Sequence, residues 1–201
     1  MNKYKRKRVK RKKLLAFFEY VNKKVSSMEN MIYVKYMKNG KGIFMYPDYG
    51  IIAKAYMGKN GVTNNKVEGD GKTPLGKFKL GIILSRKSDI QNLYGVKHKL
   101  INKNLYWIDD VKSQYYNNLV DIETVSKKDW SSAEHLIEYP IEYEYLVEIK
   151  NNPRNIHGKG SAIFLHCSNK NVTAGCVAID RNIMKKVVEV INLDTMIEII
   201  K

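Results

Sequence analysis

The chain has 201 residues, 44% of them hydrophobic, enough to bury one good core with an insertion but not two full domains. Its net charge of +16 is unevenly placed: nine Lys or Arg and no acid fall in residues 1–13, leaving about +7 on the other 188. With only two cysteines, Cys167 and Cys176, the sequence excludes a disulfide framework and a Cys-rich zinc site.

Residues 1–13 read as a solvated basic leader, as an arm drawn to anionic wall polymer, lipid or nucleic acid, or as the positive head of a targeting segment. The apolar run Leu14-Leu15-Ala16-Phe17-Phe18 stops at Glu19, too short for a secretory core or a membrane span. Neither a cleavable signal nor a transmembrane helix is therefore expected. Residues 14–29 are expected to form a short helix, so that 1–30 is a leader, partly disordered or helical, ahead of one domain over 31–201.

Strands follow. Met31–Met37, Gly42–Tyr46 and Ile51–Met57 are rich in β-branched and aromatic residues, and Asn39-Gly40, Asp48-Tyr49-Gly50 and Asn60-Gly61 separate them as turns. Lys77–Ile83 and the alternating Ile141–Ile149 add two more, and Ser161–His166, Cys176–Ile179 and Thr195–Ile200 read as the last three. Asp180 caps a helix through about Ile191, with Ile183, Met184, Val187, Val188 and Ile191 at helical spacing. The result is a mainly β chain, a sandwich or partly closed barrel with a few short helices. Residues 86–140, polar and aromatic with little period, look like a lid-like insertion over the sheet.

The chemistry concentrates near the C-terminus. Thr173-Ala174-Gly175-Cys176 comes ten residues after His166, at the far end of an Asn-containing loop. A thiol with an imidazole is the minimal pair for thiol nucleophilic catalysis, because a free thiol, pKa about 8.5, is mostly protonated at neutral pH. The small Ala174 and Gly175 would let backbone N–H groups turn inward beside the sulfur as an oxyanion hole. A Cys167–Cys176 disulfide is the alternative, but strand alternation sends Ile163, Leu165 and Cys167 to one face and Phe164 and His166 to the other. That favours a core-facing Cys167 and a cleft-facing His166. His157 competes with His166 as base. Asp109-Asp110 is expected to cap or hydrogen-bond rather than hold a metal, and His98 and His135 are expected to be exposed. On composition alone Gly69–Phe78 is a structural turn.

Together these segments resemble the L,D-transpeptidase (YkuD-type) catalytic domain. The resemblance rests on His166 with Thr173-Ala174-Gly175-Cys176-Val177-Ala178, the turn Gly69-Asp70-Gly71-Lys72-Thr73-Pro74-Leu75-Gly76-Lys77-Phe78, Trp107-x-Asp109-Asp110 with Tyr116-Asn117, and Gly160-Ser161-Ala162-Ile163-Phe164-Leu165-His166. It covers residues 50–200 and is closest to members whose site reads Thr-Ala-Gly-Cys. Two positions depart: Ala174, where many members have His or Lys, and Ala178, where Arg or Asn is common. The interval of ten from His166 to Cys176 is also shorter than usual, which keeps His157 in play.

The resemblance implies a cell-envelope enzyme acting on peptidoglycan stem peptides. Cys176 would be the nucleophile, His166 the proton donor and acceptor, and Ala174 and Gly175 the backbone oxyanion hole. The carbonyl of Cys167 would orient the base, and Thr173, Trp107 and Tyr116 would bind substrate. It implies formation of an L,D cross-link, or L,D-carboxypeptidase trimming if water replaces the acceptor amine, with no metal and no cofactor. A monomer is expected, with nucleic acid not the partner. The competing readings are a non-catalytic basic module binding anionic wall polymer or nucleic acid, and a structural β-domain with inert cysteines.

Overall fold

A computed structural model describes residues 14–23, 30–91 and 94–201. The basic leader, residues 1–13, lies outside the described residues, as does the second half of the helix expected over 14–29. Residues 14–23 are helical (α1) and bury Phe17 and Val21 against Met31, Tyr33 and Met45, while the Tyr20 hydroxyl donates to the Glu198 carboxylate at 3.0 Å.

The strands β1 (Met31–Lys38), β2 (Lys41–Tyr46) and β3 (Ile51–Tyr56) form an antiparallel meander. Its first turn is the two-residue Asn39-Gly40 loop, with φ of 51° and 66°, the left-handed pair that matches hairpin twist. Short β4 (Val62–Thr63) and β5 (Thr73–Pro74) then pair in parallel and bracket the loop 64–72. The ten-residue β6 (Gly76–Ser85) pairs with β14 (Met196–Ile200) along Gly76–Lys79 and with β11 (Tyr145–Ile149) along Leu80–Ser85. With β12 (Phe164–Cys167) and β13 (Val177–Ile179), that double pairing closes the order β11-β12-β13-β3-β2-β1-β14-β6 into an eight-stranded barrel, with β7 (His98–Leu100) appended to β6. Closure removes the open edges that a sheet of this length would expose.

Two strand boundaries differ from the sequence expectation. Ile141–Ile149 is strand only from Tyr145, because residues 141–144 are turn and bend and send the Tyr143 ring into a second apolar cluster with Phe164 and Leu146. Ser161–His166 becomes β12, Phe164–Cys167, because Ala162 takes φ 50° and interrupts the extended backbone before it. The capped helix is present as α2 (Arg181–Val190): Asp180 Oδ1 accepts from the N–H groups of Asn182 and Ile183, and Met184, Val187 and Val188 are buried in the main core with Leu165 and Cys167.

The insertion is more regular than expected. Within it β8 (Leu105–Ile108), β9 (Leu119–Asp121) and β10 (Ala133–His135) form an antiparallel three-stranded sheet. Ile108, Val120 and Trp130 give it a small core of its own, and Leu105 and Trp107 join the cluster that contains Phe164 and Cys176.

Candidate active site

Cys176 immediately precedes β13 (Val177–Ile179), which runs parallel to β12 with His166 in register with Ala178. The connecting loop is pinned by Thr173: its backbone bridges the 57–59 segment, and its hydroxyl donates to the Cys176 carbonyl at 2.7 Å. Thr73, from the turn after the 64–72 loop, points a second hydroxyl at the same carbonyl, 3.4 Å away. The Gly69–Phe78 turn, structural on composition alone, thus reaches the site.

Both cysteines are free. Cys167 faces the main core, as alternation predicts, and Cys176 the second cluster, so the disulfide reading does not hold. Cys176 Sγ donates to the Ala162 carbonyl at 3.2 Å and accepts from the Phe164 N–H at 3.3 Å. His166, on the Phe164 side of β12, is buried; its Nδ1 lies 2.8 Å from the Cys167 carbonyl, and its ring meets Tyr143 edge-on. Among the described residues no hydrogen bond joins His166 to Cys176. His157 lies elsewhere: it is exposed, bonded to the Val111 carbonyl at 2.5 Å and tilted against Tyr116.

Burial pushes the Cys176 thiol up to about 12, with the Glu134 charge adding and the Phe164 N–H and Lys66 opposing. Burial also lowers His166, against the Cys167 carbonyl and Glu142, which act to raise it. Both shifts favour the uncharged forms, thiol and imidazole.

Cys176 lines a cavity of about 210 Å³ together with Ala174, Gly175 and Ala162. Of the loop N–H groups, that of Gly175 donates to the Thr173 hydroxyl at 3.2 Å, whereas those of Ala174 and Cys176 find no acceptor among the described residues. The rest of the lining is charged. It carries Lys66 and Glu68 from the 64–72 loop and Asp109 and Glu134 from the insertion. Glu134 accepts from the Tyr143 hydroxyl, and burial foremost raises its carboxyl to about 7, the charges of Asp109 and Glu68 adding. One Asp109 oxygen, Oδ1, is buried without a hydrogen bond among the described residues.

Sequence reasoning passed over Lys66, Glu68 and Glu134, since nothing in their local spacing marks them. It assigned Asp109-Asp110 to capping or structural hydrogen bonding, and Asp110 is hydrogen-bonded in this way: its carboxylate accepts from the Ser131 N–H and hydroxyl and the Lys112 N–H. Trp107 and Tyr116, expected to bind substrate, are buried supports. The indole N–H donates to Asn117 Oδ1 at 3.1 Å, and the Tyr116 hydroxyl to Glu68 at 2.5 Å. Of the two histidines expected to be exposed, His98 is, whereas His135 is partly buried, stacked on Tyr106 and bonded to the Lys103 carbonyl.

The L,D-transpeptidase catalytic domain family, YkuD, matches residues 24–199. The chain belongs to this family. Among solved structures it is similar to L,D-transpeptidase 1 of Mycobacterium tuberculosis, at 10% identity and a TM-score of 0.37, over 86% of this chain and 62% of that one. The L,D-transpeptidase domain here thus spans less than two thirds of that structure's length. No curated protein matches the sequence. Among the described residues no helix is long and apolar enough to cross a membrane, and no group of three or more His, Cys, Asp or Glu is arranged to hold a metal ion.

Proposed function

We propose that this L,D-transpeptidase-family chain is a cysteine acyltransferase of peptidoglycan, with Cys176 as nucleophile and His166 as base, in the Thr-Ala-Gly-Cys subgroup. One observation carries the reading: a thiol lines a cavity beside two backbone N–H groups that find no acceptor among the described residues, on the sheet face that also carries an imidazole anchored through Nδ1. An Nδ1–H donated to the Cys167 carbonyl leaves the Nε2 lone pair to take the thiol proton. Free enzymes commonly hold such pairs longer than a hydrogen bond and tighten them on substrate.

In this mechanism Cys176 Sγ bonds to the carbonyl carbon of an L-residue joined to a terminal D-residue, and the π pair moves onto oxygen. The N–H groups of Ala174 and Cys176 hold that oxyanion, each donor typically contributing on the order of 3 kcal/mol. Gly175 shapes the turn, its own N–H being bound to Thr173. Collapse expels the D-amino acid with the proton from His166, and an amine of a second stem resolves the thioester. The substrate belongs to the cell envelope, and attraction of the basic leader to anionic wall polymer or membrane fits that location.

The test is incubation with tetrapeptide muropeptides, following release of the D-residue and dimer formation. Both are expected to disappear in Cys176→Ala; activity retained there sinks the assignment. Release without dimers identifies L,D-carboxypeptidase trimming instead.

A further inference from the structure

Lys66 is only 9% exposed, and its side chain is threaded between two backbone segments that flank the thiol. A β-carbon on Gly160 would come within 2.6 Å of Lys66 Cγ, and one on Gly175 would stand 3.6 Å from its Nζ. The stem thus lies along the loop leading to Ala162, and the ammonium sits beside the residue that precedes Cys176. Two of its three N–H groups are used, one by Asp70 Oδ1 at 2.5 Å and one by the Val67 carbonyl at 3.0 Å. The third finds no acceptor among the described residues, and Lys66 lines the Cys176 cavity.

Asp70 itself is fixed by the N–H groups of Lys72 and Val67, so the ammonium is held in place. Ala174 offers no side-chain donor at this point, and the Glu134 charge works against negative charge on the Cys176 sulfur. A cation fixed beside Gly175 has the opposite effect.

Resting on the acyl-transfer reading above, we propose that Lys66 is a further catalytic residue, supplying positive charge and its third N–H to the Cys176 thiolate and to the oxyanion formed on the scissile carbonyl. Lys66 keeps its proton throughout. Sulfur gains the bond to carbon, oxygen gains the π pair beside the ammonium, and on collapse that pair returns as the bond to the departing nitrogen breaks. Fixed charge aimed at where negative charge develops needs no reorganisation during the step.

The test compares wild type with Lys66→Gln, which is long enough to reach Asp70 but is neutral. Alkylation of Cys176 by iodoacetamide, followed across pH on the Cys176 peptide, needs no substrate. At each pH below the thiol's midpoint the variant is expected to react about tenfold more slowly. The kcat for D-residue release is expected to fall at least about 100-fold with KM little changed, and Lys66→Arg should recover part of it. An unshifted alkylation profile in a folded variant, or a loss confined to KM, overturns the proposal. Lys66→Met, which keeps the stem packed on Gly160, takes the same readouts should Lys66→Gln not fold. A wild type inactive on muropeptides sinks the acyl-transfer reading alone, because the alkylation comparison stands without it.

Discussion

His166 Nδ1 lies 2.8 Å from the carbonyl oxygen of Cys167, its own neighbour on β12. The anchor belongs to the backbone, so the Cys167 side chain is free to serve the core, where it is almost fully buried among Leu165 and Val187. Two substitutions should separate these duties. His166→Ala is expected to lower kcat for D-residue release by about 10²–10⁴-fold. Cys167→Ala should leave activity within about twofold and lower stability by about 1 kcal/mol through the small cavity it opens. Release assays and denaturant melts check both.

Glu134 gives a pH dependence of stability. Its native carboxyl is raised to about 7, so below the ordinary value near 4.5 folded and unfolded chains are both protonated and nothing is lost. As pH rises from about 4.5 to 7, the unfolded chain releases a proton that the folded one keeps, and stability falls. Glu134→Gln should therefore stabilise the protein relative to wild type by on the order of 2 kcal/mol more at pH 8 than at pH 4.5. Melting temperatures at the two pH values decide it; an equal difference at both would contradict the account.

Asn117 ties the insertion to the loop behind the thiol. Its Oδ1 accepts from the Trp107 indole and the Ala162 N–H, its Nδ2 donates to Asn155 and the Asn152 carbonyl, and its φ is 57°. Asn117→Ala would strand buried partners and place alanine in the left-handed region, so a loss of about 3 kcal/mol is expected. Because Ala162 also accepts from Cys176 Sγ, activity should fall at temperatures where the variant is still folded. Denaturant unfolding and release assays on the same preparation measure the two effects.

Thr173 is the brace of the nucleophile loop, donating to the Cys176 carbonyl and accepting from the Gly175 N–H. Thr173→Val keeps the shape and removes both bonds. A kcat loss of about tenfold or more, with a stability change near 1 kcal/mol, is expected. Equal losses in Thr173→Ser, which keeps the hydroxyl, would show that the methyl and not the hydrogen bonds matters.

The sequence by itself determined the barrel strands, the Asn39-Gly40 hairpin, the Asp180-capped helix and the opposite facing of His166 and Cys167. Each follows from interactions within a few residues: side-chain period, left-handed turn preference, and a carboxylate at a helix start. The same local patterns placed Cys176 on a loop beside a strand end. Only the tertiary structure decided what surrounds the sulfur. Lys66 comes from a turn more than 100 residues earlier and Glu134 from the insertion, and neither carries a local signal, because their meaning is the charge they bring to a shared cavity. It also turned Trp107 and Tyr116 from expected substrate contacts into buried supports, since an indole N–H and a phenol hydroxyl need partners once removed from water, and Asn117 and Glu68 supply them.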